Sequence, residues 1–264
     1  VGLLPEDAAE TALSDASVIW SPRTNVALYG NTAPVTLFAQ SGVRIGMGTD
    51  WTPSGSIHML RELQCAAYLD DTHFGDFFSD RDLWAMATVD NAAALAIDGV
   101  VGVLYPGRVA DIAVFADDGS DDPFSTVIEA NQGSVALVVR GGEPLYGDTD
   151  IMSAIPGGQT GCEALPESVC EVAKTACLER DTGRSYAELA SANSSNYALI
   201  ACGVPEGEPT CVPSRPGEYD GSITATDADG DGVADDVDNC PNVFNPVRPV
   251  DGDTQGRRRL GRTR

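Results

Sequence analysis

Two groups of carboxylates in this sequence have the residue types and spacing that chemistry requires. Asp50 comes three residues after an apolar run at 43–47 and precedes a loop rich in Gly, Pro and Ser. A strand that delivers a carboxylate to its C-terminal end, followed by a helix, is how β/α barrels place catalytic groups. The second group lies farther along the chain and contains Asp227, Asp229, Asp231, Gly232, Asp235 and Asp238. Because alternating carboxylates and a glycine turn suit calcium, the sequence predicts a catalytic carboxylate and a calcium site.

The elements that must position Asp50 predict an α/β fold. Apolar residues recur at helical spacing in some stretches and form short runs in others. The expected helices cover residues 5–15, 33–40, 57–69 and 80–97, and the expected strands cover 17–20, 43–47, 108–115, 134–140 and 143–146. Helices that alternate with strands through short connections indicate parallel strands. The later strands are short and hairpin-like, so they predict a separate small sheet.

Composition excludes some classes of partner. The 264 residues carry 40 acidic against 16 basic side chains, and this net charge of −24 argues against nucleic acid. No run of about 18 apolar residues is present, so no transmembrane segment is expected. The chain begins at Val1 without a signal peptide, so we expect it to be part of a longer protein.

The cysteines predict disulfides. Six of the seven crowd the second half, which is loop-rich and acidic, whereas a CxxC pair is absent and only two histidines occur. This pattern favours disulfides in an oxidising compartment over a zinc site, so the expected location is extracellular, periplasmic or on a bacterial cell surface. The six cysteines are Cys162, Cys170, Cys177, Cys202, Cys211 and Cys240.

Four stretches resemble the C-terminal part of the metal-dependent amidohydrolase superfamily, in its cytosine-deaminase and chlorohydrolase-like branch. They are WSPRTNVALYG (20–30), GVRIGMGTDWTPSGSIHMLREL (42–63), MATVDNAAAL (86–95) and GVLYPGRVADIAVF (102–115). The resemblance implies a distorted TIM barrel with a small β-sandwich. Residues 17–50 would supply the last two barrel strands, and residues 102–146 the C-terminal part of the sandwich.

The same resemblance implies roles for site residues. Asp50 would contact a catalytic zinc or iron and take a proton from the metal-bound water. That water would attack a carbon that bears nitrogen or halogen in a small-molecule substrate. Ser21, Asn25 and Trp51 would face the substrate at the same mouth. Taken alone, Gly48-Thr49-Asp50 favours a helix cap or a turn, and the flanking motifs reverse this interpretation.

The resemblance also exposes what the chain lacks. The family's HxH pair and later histidines have no counterpart, because His58 and His73 fall on a helix and in a loop after Asp50. One carboxylate does not hold a catalytic metal, so we expect an incomplete, inactive piece of a hydrolase that acts on carbon–nitrogen bonds. The N-terminal half of the barrel would be lost, or supplied by another chain in an oligomer.

A second resemblance covers residues 227–246, DADGDGVADDVDNCPNVFNP, which are similar to a thrombospondin type-3 repeat. This resemblance implies calcium and an extracellular protein. It supports an alternative function, a calcium-binding structural or adhesion module with a vestigial barrel. The arginine-rich end at 256–264 breaks the pattern of the repeat.

These patterns predict four segments. Residues 1–100 form the C-terminal part of the barrel and residues 101–148 the sandwich portion. Residues 149–220 form a cysteine-containing linker or stalk with helix-compatible residues at 163–178 and 186–192. Residues 221–264 form the calcium repeat with its aberrant basic end. Some single residues receive simpler interpretations: Glu62 as a surface or salt-bridge carboxylate, His73 in a solvated loop, Cys65 as a small buried hydrophobe and Asp111 as a turn cap.

Overall fold

The computed structural model describes residues 5–157, 160–196, 198–247 and 255. The chain packs into two compact units. Unit 1 comprises Val1–Ala94 and Pro209–Arg264, and unit 2 comprises Leu95–Glu208. Within the described residues, no helix combines the length and apolar character needed to cross a membrane. The four segments predicted from the sequence remain a prediction.

Unit 1 alternates helices with two strands. Its elements are α1 (Pro5–Leu13), β1 (Ser17–Trp20), α2 (Pro22–Tyr29), α3 (Val35–Gln40), β2 (Arg44–Met47), α4 (Met59–Leu69), a π-helical turn (Asp70–Phe74), α5 (Asp80–Ala87) and α6 (Val89–Ala94). The strands β1 and β2 pair in parallel, with Ser17 opposite Arg44 and Trp20 opposite Met47. The mixed α/β class and the parallel pairing predicted from the sequence are therefore confirmed.

Two of the predictions for the helices of unit 1 were wrong. Helix α2 occupies part of the stretch that follows β1, where no helix was expected. Pro22 begins this helix with a preset φ, and Gly30 ends it in the left-handed region at φ 68°. The single helix expected at 80–97 is two helices, because Thr88 leaves the helical region at φ −128° and ψ −95°.

The core of unit 1 lies between the strands and the helices that follow them. Its large buried side chains include Trp20, Phe38, Met47, Leu63 and Leu69. The indole Nε1–H of Trp20 donates to Thr32 Oγ1 at 2.7 Å, so the polar end of this buried ring has a partner. This hydrogen bond ties the end of β1 to the segment between α2 and α3.

Unit 2 contains the predicted small sheet. Its elements are β3 (Ile112–Phe115), α7 (Pro123–Ile128), β4 (Val135–Arg140), β5 (Glu143–Asp148), α8 (Thr149–Ala154), β6 (Glu163–Ala164), β7 (Lys174–Ala176), α9 (Leu178–Thr182) and α10 (Tyr186–Ala192). The five strands are antiparallel in the order β3-β4-β5-β7-β6.

One expectation for unit 2 was wrong and another was confirmed. The stretch 163–178 has helix-compatible residues but supplies β6 and β7, because β7 finds a partner in β5. Lys174 is buried within β7, and its ammonium donates to the carbonyls of Gly133 and Val135 at 2.6 and 2.8 Å. Asp111 accepts the N–H of Gly141 at 2.7 Å, in the turn-capping role predicted for it.

Among the described residues, three disulfides are present, and each lies within a single unit. Cys65 is bonded to Cys211 within unit 1, across 146 residues of sequence. Unit 2 contains Cys162–Cys177 and Cys170–Cys202. Disulfides were expected, but their membership differs, since Cys65 takes part in one and is not simply a small buried hydrophobe.

Candidate functional site

Asp50 lies just beyond β2, where the parallel strands β1 and β2 end together. Its backbone is in the left-handed region at φ 55°, and its side chain is exposed. The N–H of Gly48 donates to the carbonyl of Trp20 at 2.9 Å, which continues the strand pairing up to the loop. A carboxylate at the carboxyl end of parallel strands is placed where barrel enzymes perform their chemistry.

The other predicted contacts of this site differ in how closely the structure places them. Ser21 lies beside the Asp50 loop, residues 48–58 between β2 and α4, because a Cβ built on Gly48 would be 3.5 Å from Ser21 Oγ. Asn25 Oδ1 accepts the N–H of Ala33 at 3.3 Å. Trp51 is 68% exposed, and its carbonyl accepts the N–H of Ser54 at 2.9 Å. The substrate roles of these three residues stay predictions.

A buried polar network holds the Asp50 loop in place. Glu62, at the start of α4, is 0% exposed, and its Oε1 accepts the N–H of Arg23 at 3.0 Å. The N-terminal N–H groups of a helix have no partner within the helix, so this carboxylate satisfies one of them in α2. Of the two alternatives predicted for Glu62, the surface position was wrong, because α4 begins against the start of α2.

Arg23 is the centre of this network, with 4% of its surface exposed. Its guanidinium donates to Ser56 Oγ at 2.7 Å and to the carbonyl of Arg61 at 3.1 Å. A third hydrogen bond goes to the carbonyl of Pro209, at the start of the second part of unit 1. One side chain thus ties α2, the Asp50 loop, α4 and the C-terminal segment together. The sequence offered no signal for this role beyond an arginine within a match to the family.

Neither histidine lies in a cluster with Asp50. His58 caps α4, and its Nδ1 accepts the N–H of Arg61 at 3.3 Å. His73 is 0% exposed within the π-helical turn, so the expectation of a solvated loop was wrong. Burial lowers the pKa of His73 to about 4, which keeps its ring neutral at pH 7.

Asp50 alone does not fit a catalytic zinc or iron. Such a metal takes several imidazole or carboxylate ligands, and in the described part of the chain the group able to hold a metal is elsewhere. That group consists of Asp227, Asp229 and Asp231, whose ligand atoms lie within 4.8 Å of one another. The structure therefore brings together three of the five aspartates predicted for calcium.

In the aspartate loop, residues 227–245, burial and neighbouring charges disfavour the ionised form of two carboxylates. Asp229 and Asp231 are 1% and 2% exposed. Burial, followed by the nearby charge of Asp231, raises the pKa of Asp229 to about 7. Burial likewise raises the pKa of Asp231. A cation placed among these carboxylates would relieve both effects.

Three buried oxygen atoms in this loop show whether the site suits calcium. Among the described residues, Asp229 Oδ2, Asp238 Oδ2 and Asn245 Oδ1 are buried and receive no hydrogen bond. A buried acceptor without a donor costs about 1–3 kcal/mol, so such oxygens rarely cluster without a ligand. Calcium takes oxygen ligands from carboxylates and amides, so this donor set fits it.

The remaining aspartates of the loop have structural partners as well. Asp235 Oδ1 accepts the N–H of Ala228, and Asp238 Oδ1 accepts the N–H of Cys240. Asn245 was missed by sequence reasoning, although it lies within the matched repeat. Its only signal was the Asn-Pro pair that ends this repeat.

Comparison with known proteins assigns the class of this protein. The amidohydrolase family matches residues 3–145, more than half of the chain, so the chain belongs to the amidohydrolase family. The model of the thrombospondin type 3 repeat matches residues 222–248.

Particular relatives are similar to the same part of the chain. The 5-methylthioadenosine/S-adenosylhomocysteine deaminase of Teredinibacter turnerae is 33% identical over 155 residues, which are 55% of this chain and 35% of that protein. The 5'-deoxyadenosine deaminase of Methanothermobacter thermautotrophicus is 29% identical over 175 residues, 62% of this chain and 38% of that protein. The chain therefore spans little more than a third of the length of these curated relatives.

Among solved structures, an atrazine chlorohydrolase from Arthrobacter aurescens complexed with zinc is 27% identical, with a TM-score of 0.47. The match covers 54% of this chain and 34% of that one. The guanine deaminase of E. coli is 21% identical, with a TM-score of 0.48, over 56% of this chain and 38% of that one.

Proposed function

We propose that this chain forms the C-terminal part of a metal-dependent hydrolase that removes an amino group from a small molecule. The observation that carries this proposal is Asp50, exposed at the shared carboxyl end of β1 and β2 in the region that matches the family. The relatives named as deaminases support a carbon–nitrogen hydrolase. Because two of them act on adenine nucleosides by name, we extend the proposal to a substrate of that class.

In this proposal the chain supplies the carboxylate and part of the substrate wall. Asp50 serves as the general base, since its exposed carboxylate can reach a proton on an attacking water. Ser21 borders the same loop and would contact the substrate, with Asn25 and Trp51 farther along the mouth. The histidines that hold the zinc or iron would come from outside these 264 residues, from a longer protein or from a second chain.

The incompleteness of the site has a direct test. With zinc added, the 264-residue chain is expected to release no ammonia from 5'-deoxyadenosine above the buffer rate. In a protein that also supplies the family's histidines, Asp50→Asn should lower kcat by about 10²–10⁴-fold, the range for loss of a general base. Asp76→Asn is the matched control, because Asp76 is also exposed and has φ 54°. Robust turnover by the 264-residue chain would contradict the proposed incompleteness.

A second function is favoured by the buried oxygens of the aspartate loop. We propose that this loop binds calcium through carboxylates of Asp227, Asp229, Asp231 and Asp238 and the side-chain oxygen of Asn245, with Asp235 supporting the loop. Calcium and the three disulfides together support a location outside the cytoplasm, in the periplasm, at the cell surface or in the medium. A structural or adhesion role with a vestigial barrel is the alternative that remains if no catalytic activity accompanies the longer protein.

Calcium binding is tested by calorimetric titration of the whole chain at constant ionic strength. We expect a dissociation constant on the order of 10⁻⁴ to 10⁻³ M, as in extracellular calcium modules. Asp229→Asn should weaken binding at least about tenfold, since it removes a buried ligand charge. Asp236→Asn should leave it unchanged, because Asp236 is exposed in the same loop. A titration without heat, repeated with a calcium-sensitive dye, would reject the calcium site.

A further inference from the structure

The repeat packs onto the rest of unit 1 through one aromatic side chain. Phe244 is 1% exposed, and its ring lies edge-on to His73 and Tyr219, with centroid distances of 5.0 and 5.3 Å. The N–H of Phe244 donates to the carbonyl of His73 at 2.8 Å. Both the backbone and the ring of Phe244 therefore contact the π-helical turn or its neighbours.

The residue after Phe244 belongs to the aspartate loop. The N–H of Asn245 donates to Asp231 Oδ2 at 3.2 Å, and Asn245 Oδ1 is one of the buried oxygens without a donor. The other carboxylate oxygen of Asp231 accepts the N–H of Val233 at 2.8 Å. Asp231 thus connects the cluster of carboxylates directly to the segment that holds Phe244 in place.

We propose that calcium bound in the aspartate loop fixes Phe244 against the π-helical turn and so stabilises this turn at the end of α4. This inference rests on the calcium binding proposed above. Without a cation, three carboxylates within 4.8 Å repel one another, and opening of the loop would withdraw Asn245 and Phe244 together. With a cation, only the closed loop gathers all the oxygen ligands. Calcium therefore favours the docked position of Phe244.

Other contacts restrict this opening to the loop. The Cys65–Cys211 disulfide keeps the start of the C-terminal segment on α4. Tyr219 also holds the segment, because its hydroxyl donates to the carbonyl of Gly30 at 3.1 Å. The chain between 209 and 219 therefore stays attached to unit 1 whether or not calcium is bound. The response to calcium is expected at the π-helical turn, near Phe244.

Linkage gives the size of the effect. A ligand that binds only the docked form shifts the docking equilibrium by a factor of 1 + [L]/Kd, about 100-fold at a concentration of 100 Kd. If amide exchange in residues 70–78 requires undocking of Phe244, exchange there slows by the same factor. The amides of unit 2 serve as the internal reference, and their exchange is expected to stay constant.

The experiment is hydrogen exchange by mass spectrometry on the full chain, in calcium chloride and in a calcium chelator, with calorimetry in parallel. We expect exchange in residues 70–78 to slow about 100-fold at 100 Kd. Phe244→Leu should bind calcium and lose most of this slowing, because a leucine does not restore the ring contacts with His73 and Tyr219. Val237→Ala is the control, since Val237 is 72% exposed in the same loop, and it should behave as the wild type.

The outcomes separate the inference from the calcium proposal. Calorimetric binding without slower exchange at residues 70–78 would overturn the coupling and leave the calcium site standing. Absence of calorimetric binding would overturn both. Retention of the full slowing in Phe244→Leu would show that the coupling does not pass through this side chain. The comparison of wild-type protein with and without calcium is decisive even where a variant folds poorly.

Discussion

Replacement of both Cys65 and Cys211 by alanine is expected to lower the free energy of unfolding of unit 1 by about 4–5 kcal/mol. The bond closes a loop of 146 residues, so its loss releases a large chain entropy in the unfolded state. Urea unfolding followed by tryptophan emission measures this loss. Trp20, Trp51 and Trp84 are the tryptophans of the chain, and all of them lie in unit 1.

The matched control removes a disulfide from unit 2. Cys162→Ala with Cys177→Ala opens a bond that spans 15 residues in a unit without tryptophan. The free energy of unfolding measured by tryptophan emission should then change by less than about 0.5 kcal/mol. Equal losses in the two double variants would contradict the assignment of Cys65–Cys211 to the stability of unit 1. An unchanged free energy of unfolding in the variant that lacks Cys65–Cys211 would show that packing alone holds the C-terminal segment.

Arg23→Met is expected to destabilise unit 1 by about 3 kcal/mol or more. Methionine keeps much of the volume but donates no hydrogen bond, so Ser56 Oγ and the carbonyls of Arg61 and Pro209 all lose a donor. The bond to Ser56 is buried and the bonds to the two carbonyls are partly buried. A buried acceptor left without a donor costs about 1–3 kcal/mol, and a partly buried one costs less. The same urea titration measures the change.

Arg81→Met provides the comparison for this variant. Arg81 is exposed on α5, and an exposed substitution of this kind shifts stability by less than about 0.5 kcal/mol. If Arg23→Met were equally mild, the buried network would not be what holds the Asp50 loop. A second signature is expected in Arg23→Met, because the contact with Pro209 also positions the chain two residues before Cys211. Reduction of the Cys65–Cys211 bond should become faster.

The sequence predicted the position of Asp50 because that position follows from local pattern. An apolar strand, a short loop and an amphipathic helix are written in adjacent residues, and α4 begins at Met59, two residues from its predicted start. The cluster of alternating aspartates could be predicted for the same reason, since carboxylates two residues apart in a turn meet around one point. These features depend on neighbours in sequence.

The features that were missed depend on distant residues. Glu62 is buried because α2 begins against it, 39 residues away in sequence. His73 is buried in part by Phe244, which contacts it from the far end of the chain. The burial of Glu62 and of His73 leaves no periodic hydrophobic pattern in the sequence. Cys65 reads as an apolar helix residue until Cys211 is placed beside it.

The course of the chain through the two units has a consequence for cleavage by proteases. The chain leaves unit 1 after Ala94 and returns to it at Pro209, so all of unit 2 lies between the two cysteines of the longest disulfide. A single cut anywhere in unit 2 would separate the peptide chain into two pieces. Those pieces would remain one covalent molecule as long as Cys65–Cys211 stayed closed, so a nicked protein would keep Asp50 and the aspartate loop together.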